Sequence, residues 1–336
     1  MRKIYFLLPG TTGKFRGGGL WAELKIFNLV KQLYPTEVVT YRQKEANHLF
    51  LADLLSDINL SESIFVVSWG FDVPKLIKQL GSANIVYHAH SAGYRFNLPA
   101  DIPIIAVSRN TMGYWGQRSP NSLIYYLPNQ IGEEFYDLGQ TRDIDILVQA
   151  RKSSTYLLTE LVPQLKLHCK VELLDSYVED LAGLFNRSKI YLYDSAEYWG
   201  VKGVSEGFGL PPLEALACGC GVFSSVNSAL ADYLDPGFNC HKIAGYSLEY
   251  DVERILAVVN DFKVQSLPES FWAEYRKENI VKKLEIILTE IDRFFDRKRD
   301  LQPNIKGSGF WRKKQLWLKG SIAKIPQKLK NIRYSK

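Results

Sequence analysis

The sequence predicts an α/β protein built from two doubly wound domains of parallel strands, and three observations carry that reading. Short continuous apolar runs, rich in β-branched and aromatic side chains, recur along the chain without polar alternation, as strands covered on both faces require. Amphipathic helical stretches separate these runs, so the repeating unit is strand, helix, parallel strand. The 336 residues are too many for one domain at roughly 100–200 residues each and suit two.

In chain order, the first set of runs is Ile4–Leu8, Val38–Tyr41, Ile64–Trp69, Ile85–His88, Ile104–Val107 and Leu123–Leu127. After the first of them, Leu20, Leu24, Phe27, Val30 and Leu33 recur at three-to-four spacing, which predicts a helix over Leu20–Leu33. The second set is Ile144–Val148, Val171–Leu174, Ile190–Tyr193 and Val222–Ser224. The polar, glycine-containing stretch Tyr136–Asp143 separates the sets and places the domains at 1–138 and 139–270. A helical pattern over Ser270–Arg299, with Trp272, Tyr275, Ile280, Leu284, Ile287, Ile291 and Phe294, is expected to pack back across both domains at 271–300. A tail follows over 301–336, and no internal repeat or low-complexity segment interrupts the chain.

Composition narrows the function classes. Hydrophobic residues make up 46% and charged residues 23%, which excludes disorder, collagen and a disulfide-dense mini-protein. The formal charge is +6, yet the last 36 residues hold ten Lys or Arg and no acid, leaving 32 basic and 36 acidic residues in 1–300. The folded body is therefore slightly acidic, and nucleic acid is not an expected partner. Cys169, Cys218, Cys220 and Cys240 lack the spacing of a zinc site and read as buried thiols of a reducing compartment. No apolar run reaches the ~18 residues that span a bilayer, and the apolar stretch after Met1 is too short for a signal peptide. A cytoplasmic protein, or one peripheral on the cytosolic face of a membrane, is expected.

Ligands of doubly wound sheets bind beyond the carboxyl ends of the strands, and the most informative segment lies there. Ser205–Ala217 follows the run Ile190–Tyr193 and places Gly207 and Gly209 before Pro211 and Pro212. Glycines allow close backbone approach to a ligand, and prolines suit a first helical turn. The pattern predicts a loop of backbone N–H groups at a helix start, flanked by Glu206 in the loop and Glu214 in the opening turn. Such a site suits a phosphorylated, polyhydroxylated ligand.

Glu206 and Glu214, with Gly207-Phe208-Gly209-Leu210-Pro211 between them, resemble the E-x7-E signature of the family 4 retaining glycosyltransferases of the GT-B fold, within glycosyltransferase group 1. The likeness continues through Glu214-Ala215-Leu216-Ala217-Cys218-Gly219-Cys220-Gly221-Val222, with Gly221 where proline is usual and a longer loop, Asp194–Ser205, before the first glutamate. Gly17-Gly18-Gly19, Val107-Ser108-Arg109 and Leu127-Pro128-Asn129 fall where the family has its glycine loop, V-S and I-P-N segments.

The resemblance implies two Rossmann-like domains facing a cleft. Gly18, Gly19, Gly207, Phe208, Gly209, Leu210 and Glu214 would bind the donor, with Glu206 on sugar hydroxyls and Glu214 on the ribose. Arg151 and Lys152 follow the strand Ile144–Val148, where cations can neutralise a diphosphate, although the family's lysine usually stands a few residues further on. His88 and His90 fall on one strand face; with no third ligand evident, a metal is not expected, and His90 is the one expected to face donor sugar and phosphate. Asp194-Ser195-Ala196-Glu197 is not a metal-holding D-x-D.

The implied activity is retaining, metal-independent, hexosyltransferase-like transfer from a nucleoside-diphosphate sugar, UDP or GDP foremost, to a saccharide or lipid-linked acceptor, with no cofactor. Cell-surface polysaccharide or glycolipid synthesis is the expected setting. The alternatives are a non-catalytic nucleotide-sugar-binding protein on the same fold and a sugar-nucleotide epimerase. In the tail, Trp311, Leu316, Trp317, Leu318, Ile322 and Ile325 alternate with cations, a composition suited to an anionic membrane surface through 303–336.

Overall fold

The computed structural model describes residues 2–15, 17–56, 62–305, 312 and 314–320. The first sheet has seven strands: β1 (Lys3–Leu8), β2 (Thr36–Thr40), β3 (Leu49–Phe50), β4 (Ser63–Val67), β5 (Asn84–Ala89), β6 (Ile104–Ala106) and β7 (Ile124–Tyr126). Their order is β3-β2-β1-β4-β5-β6-β7. The second sheet has five: β8 (Ile144–Gln149), β9 (Val171–Leu174), β10 (Ser188–Tyr193), β11 (Gly221–Ser224) and β12 (His241–Lys242), in the order β12-β11-β10-β8-β9. Every strand pair is parallel. The two-sheet, doubly wound α/β architecture read from the sequence is the one present.

Continuous burial explains why the strands form where they do. β4 and β5 are buried at every residue, so an alternating pattern would have exposed core or buried charge. The strands that no apolar run announces are β3 and β12, two-residue edge strands whose partners β2 and β11 impose their pairing.

Helices cover both sheets. The first carries α1 (Gly18–Val30), α2 (Leu51–Leu54), α3 (Val73–Leu80) and α4 (Arg109–Arg118), and the second carries α5 (Val162–Leu165), α6 (Leu181–Asn186), α7 (Ala196–Lys202), α8 (Leu210–Ala217) and α9 (Leu248–Asn260). α1 ends at Val30 rather than Leu33, and its buried face is Leu20, Ala22, Glu23, Ile26, Leu29 and Val30, while Leu24 and Phe27 are half-buried. The helix is thus rotated from the stripe that the leucine spacing suggests, and the rotation brings a glutamate into the core.

The predicted helix over 270–299 is broken. α10 (Glu269–Trp272) and a 3-10 turn at Ala273–Tyr275 precede α11 (Lys277–Lys298), with Arg276 extended at φ −85°, ψ 150° between them. Trp272 and Tyr275 pack in the core of the second sheet with Phe208 and Leu213. Ile280, Leu284, Ile287, Ile291 and Phe295 pack in the core of the first with Ile4, Phe6 and Ile26. Phe295, rather than Phe294, fills the last buried position. Arg2 ties this helix to the first strand by pairing with Asp292 and with Asp296, the latter at 2.7 Å.

The two lobes, one per sheet, meet where residues 90–93 face residues 203–207. Ser205 N donates to Ala92 O at 3.0 Å, Ala92 N to Ser205 Oγ at 2.9 Å, and Ser91 Oγ to Ser205 O at 2.7 Å. Gly93, at φ +95°, passes so close that a Cβ there would stand 2.6 Å from Gly203 O. A Cβ at Gly207 would collide with the carbonyl oxygen of His90. Two glycines are required because backbone meets backbone.

Candidate active site

Between the lobes lies a cleft of about 570 Å³. It is lined at the carboxyl ends of β1, β4 and β5 on one side and of β8, β9 and β10 on the other. In each sheet this includes the crevice where strand order reverses, beside β1 and β4 in the first and β8 and β10 in the second. Gly18, Gly19, His90, Arg151, Lys152, Glu206, Gly207, Phe208, Gly209 and Leu210 all line it. The sequence reading placed these residues on one site, and the fold brings them together.

On the second-lobe wall, Arg151 and Lys152 are exposed and make no ion pair among the described residues. Lys152 sits in the left-handed region at φ 64°, uncommon for a residue with a Cβ. That turn lets two consecutive cations face one cleft, and Lys152 Nζ lies 4.8 Å from the centre of the Trp199 ring. Trp199 links them to Glu206, which is buried to 7% exposure. Its Oε2 accepts from Tyr193 OH at 2.6 Å, Trp199 Nε1 at 2.7 Å and Ser195 Oγ at 3.1 Å. Three donors on one oxygen fix the carboxylate, and Oε1 accepts none among the described residues. Tyr193, Ser195 and Trp199 went unmarked in the sequence, because the loop Asp194–Ser205 folds into α7 and only then returns Trp199 to Glu206.

The loop 205–209 turns into α8 through Gly209, left-handed at φ 78° and held by Tyr233 OH, which donates to its carbonyl. Pro211 and Pro212 occupy the first turn, as expected. Glu214 does not: α8 begins at Leu210, so Glu214 falls in the second turn. It is 6% exposed and does not line the cleft, unlike the position expected for a ribose ligand. Burial pushes its carboxyl up to about 7, with Lys25 opposing that and Glu134 adding to it.

On the first-lobe wall the structure supplies what the sequence lacked. Glu23 projects from α1 at 1% exposure, and its Oε2 lies 2.6 Å from both His88 Nδ1 and His90 Nε2. His88 is 2% exposed and does not line the cleft, whereas His90 does. Burial alone would raise the Glu23 carboxyl, but His88 beside it and hydrogen bonds from both rings hold it at about 2. Burial and the neighbouring His88 push the His90 imidazole down, against the pull of Glu23. One ligand atom from each of the three residues lies within 4.8 Å of the others, a grouping that could hold a metal ion. Yet 2.6 Å is a hydrogen-bond length, whereas ligands about a tetrahedral zinc stand about 3.3 Å apart. The third partner of the histidine pair exists, and it acts as a hydrogen-bond acceptor.

The four cysteines are free and at least half-buried; burial pushes Cys169 up to about 11 and Cys220 and Cys240 to about 12. Such thiols are inert.

The segment 147–267, which holds Arg151, Glu206 and the glycine loop, matches the family model of the glycosyl transferases group 1. That segment resembles a group 1 glycosyltransferase domain. Most of the chain resembles solved GT-B glycosyltransferases in fold. Sucrose-phosphate synthase from Thermosynechococcus elongatus shares 14% identity, with 87% of this chain and 100% of that one covered at a TM-score of 0.64. A glycosyltransferase from Rickettsia africae shares 13%, covering 87% and 99% at 0.61. Anabaena HepE, solved in complex with UDP and glucose, shares 14%, covering 89% and 99% at 0.56. No curated protein sequence matches the chain.

Glu214 gives the second lobe a pH signature. An exposed glutamate titrates near 4.5 and this one near 7, so between those values the folded state binds more protons than the unfolded. The contribution of Glu214 to stability therefore falls as pH rises through that window and levels off above it. Glu214→Gln, neutral throughout, should remove the slope and stabilise the protein at pH 8 by on the order of 3 kcal/mol in urea unfolding. Superimposable pH profiles for the two proteins would contradict this.

Proposed function

We propose that this chain is a retaining, metal-independent hexosyltransferase. It moves a sugar from a nucleoside-diphosphate donor, UDP- or GDP-linked, to a hydroxyl of a saccharide or lipid-linked acceptor in cell-surface polysaccharide or glycolipid synthesis. The carrying observation is the pair Arg151 and Lys152, two cations with no carboxylate partner among the described residues, which line the same cleft as the loop 205–209. A cation pair left unpaired beside a glycine loop is suited to a diphosphate, and Anabaena HepE, of the same fold, was solved with UDP and glucose.

In this reading the acceptor hydroxyl oxygen bonds to the anomeric carbon as the bond from that carbon to the phosphate oxygen breaks. The acceptor proton passes to a departing phosphate oxygen on the same face, which retains the anomeric configuration. The protein stabilises the charge that builds on the diphosphate through Arg151, Lys152 and the N–H groups of Gly207, Phe208 and Gly209, which donate to no backbone carbonyl among the described residues. Glu206, fixed through Oε2, offers Oε1 to sugar hydroxyls.

The tail has its own proposed role, to bring the enzyme to an anionic membrane carrying lipid-linked acceptors. No helix among the described residues is long and apolar enough to cross a membrane. Residues 314–320 are helical and expose Leu316, Trp317 and Leu318 beside cations; Trp311, Ile322 and Ile325 lie outside the described residues.

Arg151→Ala should lower kcat/KM for sugar transfer or donor hydrolysis by two or more orders of magnitude, as loss of a transition-state charge contact does; an unchanged rate would remove Arg151 from the mechanism. Deleting 303–336 should abolish flotation with phosphatidylglycerol vesicles while leaving turnover of a soluble acceptor intact. Equal flotation of both forms would refute the role of the tail.

A further inference from the structure

Glu23, His88 and His90 form a buried group that the glycosyl transfer outlined above leaves unexplained. We propose that Glu23 is a positioning residue that fixes His90 as the Nε2–H tautomer, so that His90 Nδ1 accepts a hydrogen bond from a hydroxyl of the donor sugar. The proposal rests on the glycosyltransferase reading, in which His90 faces the donor, and adds Glu23 as the residue that sets its tautomer.

The geometry allows little else. A single oxygen, Glu23 Oε2, is shared by His88 Nδ1 and His90 Nε2 at 2.6 Å each, with the ring centres 4.3 Å apart. An ionised carboxylate only accepts, so each ring must present its N–H to that oxygen. A neutral imidazole has one N–H; spent on Glu23, it leaves the other nitrogen a bare lone pair. For His88 that nitrogen is Nε2, buried and without a partner. For His90 it is Nδ1, on a ring that lines the cleft with 20% of its side chain exposed.

His88 has a part of its own. It does not reach the cleft, yet it gives the buried carboxylate a second donor and so keeps it from rotating away from His90. Glu23 Oε1 has no hydrogen-bond partner, so the two histidines supply this carboxylate's hydrogen bonds among the described residues. The backbone holds the ring as well, since Gly207 packs directly on the His90 carbonyl.

A bare nitrogen and a cationic imidazolium recognise different chemistry. An imidazolium attracts phosphate at long range. A neutral acceptor needs a donor at a fixed place, and the sugar hydroxyls are the donors a nucleotide sugar brings to that wall. A site built around such an acceptor discriminates strongly against an analogue that lacks the hydroxyl.

The test uses the full chain labelled with 15N-histidine, with His90 signals assigned by comparison with His90→Asn. At neutral pH the His90 Nε2 should carry the proton and Nδ1 should show the shift of an unprotonated nitrogen. A proton on Nδ1, a doubly protonated ring, or stoichiometric metal that co-purifies and is lost in Glu23→Gln would each overturn the proposal. A second arm compares UDP-glucose, GDP-glucose and ADP-glucose, takes the best wild-type donor and adds its monodeoxy analogues. One analogue should be discriminated against at least tenfold in kcat/KM by the wild type and less than threefold by Glu23→Gln. UDP should bind both proteins within twofold, which separates this question from the function itself. Unchanged discrimination in Glu23→Gln would refute the assignment, and failure of UDP to bind the wild type would instead refute the donor reading.

Discussion

The cleft depends on a contact between two stretches of main chain. Gly207 lies against the carbonyl of His90, where no side chain fits, and beside it residues 91 and 92 exchange hydrogen bonds with Ser205. Each such bond contributes about 1 kcal/mol. Their larger effect is geometric: they set how far the carboxyl ends of one sheet stand from those of the other. Because the segment 205–209 is both the interlobe contact and the glycine loop, the wall that would meet a diphosphate is held at a fixed distance from His90.

Around that contact the charges are divided by environment. The carboxylates of Glu206 and Glu23 are buried and saturated by donors on one oxygen each, three on Glu206 and two on Glu23. A buried carboxylate is tolerable only with such partners. The cations Arg151 and Lys152 are exposed and lack any carboxylate among the described residues. The cleft therefore presents the fixed Glu206 carboxylate and two unneutralised cations, while Glu23 stays behind its wall. Glu214 stands apart from both, a buried acid under the loop with a raised pKa.

Much of this was legible in the sequence where one physical signal dominated. Central strands are apolar on both faces, so runs such as Ile64–Trp69 marked them; β3 and β12, two residues each, have too little apolar length to register. The glycine loop, its flanking glutamates and the cations after β8 were visible because type and spacing are local. Glu23 was hidden because the leucine spacing of Leu20–Leu33 suggested a different face of α1 than the one that meets the sheet. A glutamate among apolar helix positions was the available signal. Tyr193 and Trp199 escaped because their contact with Glu206 is tertiary, made only once α7 has folded back. Glu214 was placed one turn early because the prolines mark a first turn without fixing where the helix begins.

The central claim is that the cleft recognises a nucleoside diphosphate through Arg151, Lys152 and the loop amides, and isothermal titration of UDP, GDP and uridine against the full chain tests it most directly. The account predicts that at least one diphosphate binds a hundredfold or more tighter than uridine, a difference of about 2.7 kcal/mol, and that the preference weakens as salt rises. Equal affinity for diphosphates and uridine, or no binding of either diphosphate, would contradict it.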